Sequence, residues 1–186
     1  MKRIKKIIAG LLVVTVAMVA GCKRENIGYG YMAVKISEAR TIGGSESTAL
    51  SGVNIDIKSV EVHYANEAEG SGGWVTINTN SGIYDLLLLQ NDIMATIADD
   101  TKLPAGKITQ LRLVLGPNNA VVISGDSEHF LKVPSAEIKI NVDSYIPESL
   151  HLSIALEFDA DKSIVIEGSG EFNLKPVIQV KSISVN

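Results

Sequence analysis

Apolar and polar residues alternate with a period of two along most of this chain, and that pattern confines the backbone to strands with one buried face. Leu150, Leu152, Ile154, Leu156 and Phe158 alternate with His151, Ser153, Ala155, Glu157 and Asp159. Successive side chains of a strand point to opposite faces, so this run sets one face on a core and the other in water. The same reading applies to Val53, Ile55 and Ile57, to Ile138, Ile140 and Val142, and to Leu111, Leu113 and Leu115, where Val114 is mildly discordant. Between Ile57 and Val60 the apolar set passes from odd to even positions and continues through Val62 and Tyr64. One extra residue near Lys58 or Ser59, a β-bulge, keeps a single face inward.

Shorter runs predict further strands at Met32 to Ile36, Trp74 to Ile77, Ile83 to Leu89, Val121 to Ile123, Phe130 to Val133, Ile164 to Ile166, and from Phe172 onward with a break at Pro176. Asp92 to Ala98 carries a helical hint, Ile93 and Ile97 standing four apart, and amounts to two turns at most. No long amphipathic helix exists to cover a parallel sheet. Many short strands between turn signals such as Pro104 to Gly106, Gly116 to Asn119, Gly125-Asp126 and Gly168 to Gly170 predict an all-β chain, an antiparallel β-sandwich of about ten strands.

The N-terminus reads differently. Lys2, Arg3, Lys5 and Lys6 precede an apolar stretch from Ile7 to Ala20, the pattern of a signal peptide and too short for a spanning helix. Val19-Ala20-Gly21-Cys22 then resembles the lipobox of bacterial lipoproteins, which are cut before the cysteine and acylated on it. Cys22 is the single cysteine. Its thiol can carry a diacylglyceryl thioether and the freed amine a third chain, and several chains anchor where one binds only reversibly. Lys23 stands where an Asp would resemble an inner-membrane retention signal, which favours the outer membrane. The expected organisation is a signal peptide over 1–21, a lipidated tether over 22–30 and one sandwich domain over 31–186, with a polar loop over 40–52.

Charge narrows the partners. The chain of 186 residues carries 17 basic and 21 acidic residues, and four of the basic ones lie in the signal peptide. A body that acidic repels phosphate backbones, so nucleic acid is excluded as a partner.

Five segments, YDLLLLQ (Tyr84 to Gln90), LPAGKITQLRLVLG (Leu103 to Gly116), LKVPS (Leu131 to Ser135), FDADKSIV (Phe158 to Val165) and LKPVIQV (Leu174 to Val180), resemble in this order an uncharacterised family of bacterial lipoproteins with a conserved domain of unknown function. Ile108 departs from a position more often aromatic there, and no Gly-rich insertion follows LKVPS. The Pro-Ala-Gly turn feeding a strand is similar to transthyretin-like surface modules. The resemblance implies an envelope lipoprotein with a transthyretin-like or Ig-like sandwich, and it supplies no activity, substrate or catalytic residue.

Residues able to do chemistry are few and scattered along the chain. His63, His129 and His151 are spaced too widely for a local metal motif, and no nucleophile elbow, HExxH or phosphate loop occurs, so neither a catalytic residue nor a cofactor is assigned. Asp159, Asp161 and Ser163 alternate like the first ligands of a calcium loop, but Ile164 replaces its glycine and Gly170 its last carboxylate. A hairpin turn with two solvated carboxylates is the better reading. Trp74, the single tryptophan, and Tyr84 form a sugar platform if both are exposed, although a tryptophan opening a strand more often packs into the core. An anchor and a core without a reactive cluster lead to a non-enzymatic, membrane-tethered binding module for a protein or glycan ligand. Alternatives are a subunit of a pilus-like assembly, joined through its C-terminal strand, and a glycan-binding surface protein.

Overall fold

In the computed structural model the described residues are 28–39, 50–65, 73–124 and 127–186. The predicted signal peptide, Cys22 and the residues 40–49 of the polar loop lie outside them. The strands are β1 (Tyr29–Glu38), β2 (Leu50–Tyr64), β3 (Trp74–Thr76), β4 (Gly82–Asp85), β5 (Ala95–Pro104), β6 (Gly106–Leu115), β7 (Ala120–Ile123), β8 (Glu128–Lys132), β9 (Glu137–Ile146), β10 (His151–Phe158), β11 (Ile164–Ile166), β12 (Phe172–Leu174) and β13 (Ile178–Val185). A short helix α1 (Ala160–Ser163) and a 3-10 turn at Leu86–Leu89 complete the set.

Two sheets form the predicted sandwich. The smaller has the order β13-β10-β1-β5 and the larger β11-β12-β8-β7-β2-β6-β9, with β3 and β4 also paired to β2. Antiparallel pairing is not universal: β1 runs parallel to β10, and β12 parallel to β8. Parallel neighbours need a long crossover. The chain provides one by building the whole of the larger sheet's centre between β1 and β10.

Alternation places the core. Met32, Val34 and Ile36 of β1 and Leu152, Ile154, Leu156 and Phe158 of β10 are fully buried, facing Val53, Ile55, Ile57, Val60 and Val62 of β2. The change of parity in β2 coincides with a register shift between Ile57 and Ser59 against β6, the expected bulge. Leu50 to Gly52, read as the end of a loop, belong to β2 because they pair with Ile123 and Val122 of β7.

Three other expectations fail for local reasons. Ile83 to Leu89 is not one strand, because the Asp85 carboxylate accepts from the Leu87 N–H at 3.0 Å and caps a 3-10 turn. No helix starts at Asp92, since Asn91 and Asp92 both have left-handed backbones with φ of 56° and 64°. Right-handed helix cannot propagate through such a pair, and β5 follows instead, disguised by two register shifts against β1. The Asp159 turn is helical, with Asp159 as N-cap of α1.

Candidate functional site

The outer face of the larger sheet carries two groups of side chains. The first surrounds Trp74. β3 pairs Trp74 with His63, whose neighbours along β2 are buried Val62 and Tyr64, so the indole stands on the outward side with the imidazole 5.1 Å away. One step along, Glu61, Arg112 and Lys139 lie directly opposite one another across β2, β6 and β9. The Arg112 guanidinium covers the indole at 4.3 Å, donates through Nε and Nη2 to Glu61, and reaches Glu137 through Nη1 at 3.1 Å. The hydrogen bond to Glu61 is the main cause that raises the Arg112 pKa above its ordinary value. Trp74 is therefore neither a core residue nor an open platform: an ion-paired cation lies against its ring.

Tyr84 is elsewhere. It pairs with buried Ile55 of β2, eight positions from His63 and hence about 26 Å along the strand, on the inward side. Its phenol donates to the Asn80 carbonyl, and burial followed by the Asp99 charge holds its pKa above the usual value. The structure does not bring Trp74 and Tyr84 together, because β3 and β4 lie end to end along one edge of β2 rather than side by side.

The second group lies where the larger sheet is broken. β6 and β7 run one after the other along the other edge of β2, interrupted by Gly116-Pro117-Asn118-Asn119, and β8 and β9 are interrupted beside them by Val133 to Ala136. Asp56 of β2 faces the interruption and rebuilds the lost ladder. Its carbonyl accepts from Gly116 N–H at 2.8 Å, and its N–H donates to Asn119 Oδ1 at 2.9 Å. Its carboxylate accepts from Asn118 N–H at 3.1 Å and from the Asn118 side-chain amide at 3.0 Å. Asn119, 1% exposed, ties the turn again by donating from Nδ2 to the Gly116 carbonyl. Gly116 is required for space: a Cβ there would lie 2.2 Å from Asp56 Oδ2.

This seam opens two clefts that share Pro117, Asn119 and Phe130, one of about 500 Å³ toward Asn54, Asn118 and Glu128, the other of about 490 Å³ toward Lys58 and Lys132. Phe130 stands between them 68% exposed, and Ile83, 56% exposed, walls the first. Sequence reasoning marked Gly116 to Asn119 as a turn and Phe130 as a strand residue. It missed the site because an outward-facing aromatic within a short strand carries no signal of exposure.

The remaining candidates do not converge. His63 Nδ1 bonds Thr109 Oγ1 at 2.9 Å, His129 packs against Phe172, and His151 stacks on Tyr31 while meeting Asp100 at 3.1 Å. The Asp159 carboxylate accepts from Lys162 N–H and pairs with Lys162 Nζ at 2.7 Å, which lifts the lysine pKa, chiefly through that hydrogen bond. Among the described residues no three His, Cys, Asp or Glu side chains are grouped to hold a metal ion. The lipobox residues Val19, Ala20 and Gly21, with Cys22, lie outside the described residues.

Residues 30–176 match the model of a family described as a domain of unknown function, DUF4382. No curated protein and no solved structure matches the chain.

Proposed function

The chain belongs to the DUF4382 family, and on that premise we propose that it is a non-enzymatic lipoprotein of the cell envelope, anchored in the outer membrane through acylated Cys22. Its sandwich is a tethered binding module for a protein or glycan. The observation that carries this reading is the order of the N-terminal signals, four basic residues, an apolar run and Val19-Ala20-Gly21-Cys22, directly ahead of a β-sandwich. A clefted outer face on the larger sheet supports the binding role.

Fractionation of cells expressing Cys22→Ala tests the anchor. The reading expects the wild-type chain in the membrane pellet and the variant in the soluble fraction or retained as uncut precursor without acyl chains. A wild-type chain that carries no acyl chains, or a Cys22→Ala chain that has lost its signal peptide and still stays in the pellet, would refute it. Protease shaving of intact cells, with a periplasmic protein as leakage control, then separates a surface-exposed domain, which is digested, from a periplasmic one, which survives.

A second reading, a subunit joined to its neighbours by strand pairing, draws on β13. This strand closes one edge of the smaller sheet, and Ile183 and Val185 are 41% and 49% exposed. An unpaired strand edge is a template for another chain. Sedimentation that gives a monomer at every concentration would sink that alternative.

A further inference from the structure

Phe130 at the sheet break is an aromatic ring held out to solvent between two clefts of opposite chemical character. On one side the amide nitrogens of Asn54 and Asn118 are engaged by Glu128 and Asp56 at 3.3 and 3.0 Å. Their carbonyl oxygens and the second Glu128 oxygen keep capacity to accept, and each amide keeps a second N–H to donate. On the other side Lys58 makes no ion pair among the described residues, and Lys132 has Glu171 at 4.0 Å.

A ligand that satisfies both sides needs an apolar face for the ring, hydroxyls that donate and accept for the amides and carboxylate, and negative charge for the lysines. Sugar rings have such faces and hydroxyls, and aromatic side chains supply a large flat apolar surface for the former. Resting on the binding-module reading, we infer that the seam binds an acidic oligosaccharide, one ring stacked on Phe130 and a sugar carboxylate held between Lys58 and Lys132.

Two further features favour this ligand over an extended peptide. β8 pairs with β7 over Glu128 to Phe130 and with β12 at Leu131 and Lys132, so only a short piece of either edge is left for strand addition. The intervening turn is fixed in advance by its bonds to Asp56, and a prearranged site loses little on ordering.

The test is calorimetric titration of the full chain in detergent micelles with three probes: a galacturonic acid tetramer, the neutral galactose tetramer, and a Glu-rich octapeptide. The uronate tetramer is expected to bind tightest, and more weakly as salt rises. Phe130→Ala should weaken it about tenfold. Lys58→Ala with Lys132→Ala should lower its affinity to that of the neutral tetramer. All three side chains are exposed, and unchanged Trp74 fluorescence certifies the fold of each variant. The inference is overturned if the uronate tetramer does not bind, binds no better than the neutral tetramer or the peptide, or is indifferent to Phe130→Ala. None of these results alters the Cys22→Ala fractionation, so failure of the site and failure of the anchor are separately visible.

Discussion

Alanine at Gly116 probes the break in the sheet, because the residue's backbone is not in the left-handed region and the cost of a side chain there is steric. The new Cβ would fall 2.2 Å from Asp56 Oδ2 and 2.4 Å from its Cγ. The carboxylate must move, and in moving it releases Asn118 N–H and the Asn118 amide, now at 3.1 and 3.0 Å. Two hydrogen bonds at about 1 kcal/mol each set the scale at about 2 kcal/mol, within the range of about 1–3 kcal/mol for overpacking. Asp56→Ala loses the same two bonds and should cost about 2 kcal/mol alone. In that background Gly116→Ala meets no carboxylate, so its cost should fall below about 0.5 kcal/mol, or become a small gain from a stiffer unfolded chain. The expected coupling is about 2 kcal/mol. Urea titration followed by Trp74 fluorescence measures it as a midpoint shift of about 1 M at unchanged slope. Equal costs for Gly116→Ala in both backgrounds would refute the packing argument.

Other side chains lend themselves to the same treatment. Arg112→Ala removes the cation over Trp74 and leaves Glu61, whose side chain is 14% exposed, without its main partner. A loss of about 1–3 kcal/mol is expected, with red-shifted emission and stronger iodide quenching, and unchanged emission would contradict the placement of the ring. Ser163, fully buried, accepts from Val177 N–H at 2.8 Å and donates to the Asp159 carbonyl. Ser163→Ala should cost about 1–3 kcal/mol and speed hydrogen exchange at Val177, whereas a protected amide would show that the bond is dispensable. Burial pushes the Tyr64 phenol up to about 12. The folded state therefore holds its proton where the unfolded chain, near about 10, has lost it, so this contribution is full below about pH 10 and disappears as pH rises toward about 12. With solvent screening it amounts to roughly 1 kcal/mol. Tyr64→Phe should flatten that part of the alkaline stability curve, and an identical curve would remove Tyr64 as its source.

Alternation was a reliable guide where one face of a strand is wholly buried. β2, β6, β9 and β10 were legible because each sets at least three alternate apolar residues in a row against the opposing sheet. The bulge in β2 was legible for the same reason, since a parity change within a buried row has few other solutions. β5 was not, because it is an edge strand with Asp99, Asp100 and Lys102 in sequence and two irregular pairings. Four consecutive leucines gave no period at all, and the turn they form depends on one carboxylate, Asp85, which also accepts from Val53 N–H of a strand more than thirty positions away.

The candidate site divides in a similar way. The chemistry of Cys22 and its preceding residues is a matter of local order along the chain, and sequence alone suffices to read it. Two sheets of strands are likewise determined by periodicity, a property each segment carries by itself. Which residues meet across strands is not, because pairing joins positions far apart and the edge on which a strand docks is settled by the whole sheet. Trp74 and Tyr84, ten residues apart in sequence, end on opposite faces. Asp56, Asn118, Phe130 and Lys132, spread over more than seventy residues, gather at one break because β6 with β7 and β8 with β9 are interrupted at the same level beside β2.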